Sequence, residues 1–168
     1  MKRVIAAALL VSLLTPSFAF AIDGDNAAYF GGTVTTYAGA KDPIEGRLDL
    51  TGPDELVLRP NKQPFVGILL KIPYKQIDDL EYGQKAGRRV GAAIGTAILL
   101  GPLGLLTLFS KKRKHYVTIS YKDAEGAAQV AVLELGKDIV RATLPILKAR
   151  SGKEITYQDD EARKASGG

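Results

Sequence analysis

The chain has 168 residues, enough for one domain with a real core. It contains no cysteine, which excludes disulfides, thiolate metal sites and a lipidated N-terminal Cys. Net charge is +5, or +3 without the basic pair at the N-terminus, too mild for a general polyanion binder.

Residues 1–21 read as a secretory signal peptide. Lys2-Arg3 is the basic n-region, Val4–Leu14 the apolar h-region, and Thr15-Pro16 the break. Ala19-Phe20-Ala21 has the small-residue pattern of a cleavage site, so the chain is expected to be exported and to act in the periplasm or cell envelope. Residues 22–30 read as a loose leader. Asp23, Asp25 and Asn26 match only the opening of a calcium loop, and the closing Glu is missing at the required spacing. No metal or cofactor is therefore expected.

Short runs of alternating character follow, parted by turn residues. Gly32–Tyr37 is rich in Thr, Val and Tyr. In Ile44–Thr51, Ile44, Gly46, Leu48 and Leu50 face one way and Glu45, Arg47 and Asp49 the other. Gly52-Pro53-Asp54 is a turn. Leu56 and Leu58 carry the next apolar face. Val66–Tyr74 reads as an apolar strand whose Pro73 must lie at an edge or bulge, and Ile77–Tyr82 as a further short strand.

The run Val90–Phe109 then interrupts the pattern without a single charge. As a helix its roughly twenty residues span about 30 Å, close to the thickness of a bilayer's hydrocarbon. Val90, Ile94, Ile98, Leu99, Leu100, Leu103, Leu105, Leu106, Leu108 and Phe109 are the side chains expected to enter lipid. Arg88, Arg89, Lys111, Lys112, Arg113 and Lys114 flank both ends, as expected if both ends meet one headgroup layer. Gly101, Pro102 and Gly104 form a reversal signal, so residues 87–110 read as a helical hairpin that dips in and returns. Gly91 and Gly95 are spaced for close helix packing. The basic quartet lacks an aromatic platform, and no nucleic-acid partner is expected.

Strand patterning resumes at His115–Tyr121 and Gln129–Leu135. One amphipathic helix follows over Lys137–Arg150, with Ile139, Val140, Thr143, Leu144 and Leu147 on one side and Ser151-Gly152 as its stop. Pro145 should kink it or leave the Arg141 carbonyl without its helical donor. Glu154–Tyr157 is a candidate for a last short strand, and residues 158–168, charged and small, read as a disordered tail. The lone His115 has no partner set for catalysis or zinc, the carboxylates form no acid–base pair, and no nucleophile motif is present, so no enzyme is expected.

This order, about seven short strands and then one C-terminal capping helix, resembles the bacterial version of the pleckstrin-homology-like superfold over residues 31–157. Locally, Leu80-Glu81-Tyr82-Gly83-Gln84, then Gly87-Arg88-Arg89, and Ser110-Lys111-Lys112-Arg113-Lys114-His115-Tyr116 resemble a group of exported bacterial proteins. The resemblance implies a mostly β (α+β) fold: a curved sheet or partly open barrel, closed by the helix, with the apolar hairpin inserted. The first expectation for function is a non-enzymatic, membrane-associated module that binds lipid headgroups, a protein partner, or both. The alternatives are a soluble homo-oligomer joined through the apolar hairpin and a carrier that uses the curved sheet as a cavity.

Overall fold

The computed structural model of the chain describes residues 23–84 and 114–167. Residues 1–22, where a signal peptide was expected, the apolar run with Gly91, Gly95, Gly101, Pro102 and Gly104, and the flanking Arg88, Arg89, Lys111, Lys112 and Arg113 lie outside the described residues. Lys114 lies within them.

Alternation in β2 (Ile44–Asp49) turns Ile44 and Leu48 inward and Glu45 and Arg47 outward, as a strand with one solvated face requires. The same rule places Leu56 and Leu58 inward from β3 (Glu55–Pro60) and Leu70 and Ile72 from β4 (Leu70–Pro73). With β1 (Asp23–Gly32), β5 (Ile77–Gly83), β6 (His115–Lys122), β7 (Ala128–Leu135) and β8 (Ile155–Tyr157), these build one sheet in the order β4-β3-β2-β1-β7-β6-β5-β8. All neighbours are antiparallel except β5 and β8. The sheet curls into a half-barrel whose concave side is filled by Leu, Ile and Tyr side chains.

The helix α1 (Lys137–Ser151) closes the concave side with Ile139, Val140, Thr143, Leu144 and Leu147, the five positions its spacing predicted. It runs through Pro145, which sits on the exposed side and has no N–H to give Arg141. Gly152 ends it at φ 69°, a conformation that suits glycine, and returns its N–H to the Lys148 carbonyl (3.0 Å). In the helix's last turn Arg150 donates to the carbonyls of Leu50 (2.5 Å) and Gly52 (2.6 Å) and stacks over the Tyr74 ring (5.3 Å), tying the helix end to the β2–β3 turn.

The expected architecture needs four corrections. The sheet has eight strands rather than about seven, with Ile155–Tyr157 joining it as β8, and residues 23–30 form most of β1 instead of a loose leader. There is a second helix, α2 (Asp160–Ser166), where a disordered tail was expected. Asp159 caps it by accepting the Ala162 N–H (2.7 Å), and Ala162 is fully buried in the core. Gly32–Tyr37 is not a strand; β1 ends at Gly32 and a 3₁₀ turn covers Thr35–Tyr37. Finally, the predicted strand Val66–Tyr74 pairs only over Leu70–Pro73, with Pro73 on an outer strand as expected.

Gly83 of β5 pairs with Tyr116 of β6. Residues 84–115 therefore leave and return across one strand spacing, about 5 Å. The chain before the apolar run and the chain after it build one sheet. A single straight crossing of a bilayer by that run would put β5 and β6 on opposite sides, which their pairing forbids. Among the described residues no helix is long and apolar enough to cross a membrane.

A candidate functional groove at the Lys114 end of the sheet

The β1–β2 connection, the β3–β4 connection and the start of β6 converge on one open groove of about 700 Å³. Ala28, Ile44 and Pro43 line its apolar part, and Lys41, Lys62, Lys114, Asp42, Glu45 and Glu134 line it with charge. Register explains the meeting: Ala28 pairs with Glu45 on one side and with Glu134 on the other, so three outward side chains share one row. Lys114, next to the first residue of β6, reaches Glu134 at 2.9 Å, and Lys62 pairs with Glu45.

These ion pairs are partly exposed, so each contributes about 0–1 kcal/mol to stability. Their effect on ligands matters more. Three lysines and three carboxylates balance within the groove. An anion can meet the Lys41 ammonium directly, and gains further by drawing Lys62 or Lys114 from its carboxylate or from the charge of Lys111, Lys112 and Arg113, which precede Lys114 in the chain. No ion pair or hydrogen bond holds the Lys41 ammonium among the described residues.

One rim of the groove is oily. Phe65 lines it, and beyond it Val66, Ile68 and Leu69 are 49%, 38% and 38% exposed. Gly67 turns this tip at φ 86°. The tip is held from below: the Tyr37 hydroxyl donates to the Ile68 carbonyl (2.6 Å), and the Tyr37 and Phe65 rings meet edge to face at 5.6 Å. Sequence reasoning assigned Val66–Leu69 to a strand and so missed an exposed apolar tip. The available signal was Pro64 and Gly67 punctuating the run.

His115 stacks on Tyr82 and shares a hydrogen bond between its Nδ1 and the Tyr82 hydroxyl (2.5 Å). Burial, helped by Lys137, holds the imidazole below its ordinary pKa, and burial pushes the Tyr82 phenol up to about 12. Both rings are thus neutral at pH 7. Glu81, one strand position away, is a buried carboxylate on the outer face.

No protein-family model and no curated protein matches the chain. Among solved structures it is similar to the hSac2 domain from human phosphoinositide phosphatase Sac2. The TM-score is 0.52 at 14% identity, over 96% of this chain and 92% of that chain. At this identity the likeness is one of fold: a curved, mostly β sheet.

Proposed function

We propose that this chain is a non-enzymatic, pleckstrin-like module of the cell envelope that binds anionic lipid headgroups. One observation carries the reading: the fold brings Lys114 to the same groove as Lys41 and Lys62, beside an exposed apolar tip. Basic side chains next to exposed apolar ones suit an anionic bilayer surface, where each cation near the headgroups gives about 1 kcal/mol. Arg88, Arg89, Lys111, Lys112 and Arg113 add to that charge, and Val90–Phe109 supplies an apolar anchor that enters and leaves on one side. The groove's own charge balance leaves the net positive charge to these flanks. The fold likeness to a domain of a phosphoinositide phosphatase is consistent with a lipid-related role. The filled concave side speaks against a carrier that houses its ligand between sheet and helix.

The test is sedimentation of the full chain with vesicles of neutral lipid alone and with one-third anionic lipid. Binding is expected only with the anionic vesicles, and to weaken at least tenfold when Lys41, Lys62 and Lys114 are changed together to Gln. Equal binding to both vesicles, or an unchanged affinity in the triple variant, removes the groove from the mechanism.

A further inference from the structure

The outward side of β1, β7 and β6 does not have the make-up of a solvated face. Ala28, Phe30, Tyr116, Val130 and Val132 project there and are all 7% exposed or less. None belongs to the core cluster on the concave side. Phe30 and Tyr116 meet edge to face at 4.9 Å across this surface. Something covers it, and both described helices lie elsewhere: Ile139, Val140, Leu144, Leu147 and Ala162 are all members of the concave-side cluster.

We propose that this outer face is the seat of the chain's own apolar run, residues 90–109. Three facts select that occupant. The run's two attachment points adjoin the patch: Gly83 and Tyr116 are register partners, and Tyr116 is itself a patch residue. A connection of that length can fold back over strands that begin where it ends. The chemistry matches, because the run is uncharged and the patch is mostly apolar, with Thr118 on it and the carboxylates Glu81 and Glu134 at its margins. The returning chain already touches this face, since Lys114 closes on Glu134 at 2.9 Å. The seat keeps the run from water when no bilayer is present. It stands apart from the lipid reading: either can fail alone.

The native chain lacks cysteine, so a clean cross-linking test is available. Thr118, half-buried on the patch between Glu81 and Val132 in register, is changed to Cys in the full chain together with Ile98→Cys or Leu105→Cys. Oxidation in lipid-free buffer is expected to give an intramolecular disulfide at least tenfold faster than in a control pairing the same run cysteine with Lys75→Cys. Equal rates overturn the proposal. A disulfide-linked dimer overturns it in favour of a second copy, and faster closure with Ile5→Cys in favour of the N-terminal run. Circular dichroism of each variant confirms that the sheet is intact. Vesicle binding measured on the same proteins reports on the lipid reading separately.

Discussion

The two halves of the sheet treat water differently. On β2, outward Glu45 and Arg47 are polar and burial follows a period of two; on β3, Arg59 and Glu55 keep the outward face partly wet, although Val57 is buried between Leu56 and Leu58. On β7, Val130, Ala131, Val132 and Leu133 are buried in succession, so that both faces are apolar and covered. A strand solvated on one side must alternate; a strand covered on both need not. The same contrast separates Ala27–Phe30 of β1, buried without a break, from its neighbour β2. An apolar outward face thus marks a covering element as clearly as a visible helix would.

Substitutions across this divide test it. The largest effect is expected on the concave side, where Leu133→Ala should cost about 2–5 kcal/mol in urea unfolding through lost burial and a cavity. Arg150→Ala comes next, at about 1.5–3 kcal/mol, because it strips donors from the Leu50 and Gly52 carbonyls; Arg150→Lys should recover only part. Val132→Ala, one position from Leu133 but on the other face, should cost about 1–2 kcal/mol at roughly 0.8 per buried CH₂. A change within about 0.5 kcal/mol would mean that the outer face is open and would break the comparison.

A smaller effect is set by pH. The folded state holds His115 below its unfolded pKa of 6.5, so its contribution is present above pH 6.5 and is lost as pH falls through the folded value. Thermal melts should show stability declining on acidification below pH 6.5, and His115→Gln should flatten that decline. Smallest of all, Glu45→Ala on the solvated half should shift stability by no more than about 1 kcal/mol, since its Lys62 partner is well exposed. A larger loss there would erase the distinction between the two halves.

Legibility depended on local pattern. β2, β6 and α1 were readable because apolar and polar residues recur in them with a period, and β3, β5 and the body of β7 as short apolar runs between turn residues. β1 was not, since Ala27-Ala28-Tyr29-Phe30 has no period after a polar start. α2 is two turns long, too short for a periodic signal, although Asp159 before it and Gly167 after it are ordinary capping residues. Of the groove's three lysines, Lys114 could be named from sequence alone, while Lys41 and Lys62 went unnamed. That Lys114 meets Lys41 and Lys62 could not be read there, because the positions lie far apart in the chain and meet only through strand register.

The amino-acid order alone determined the class of this protein: short strands, one amphipathic helix, an uncharged run between basic flanks. Local chemistry is enough for that, since turn residues and apolar periodicity act over a few neighbours. Tertiary structure decided which strands pair, that the chain before and after the apolar run joins two neighbouring strands of one sheet, and that part of the sheet's outer surface is covered. Those are contacts between distant residues, selected by the burial of the whole, and no short window of sequence contains them.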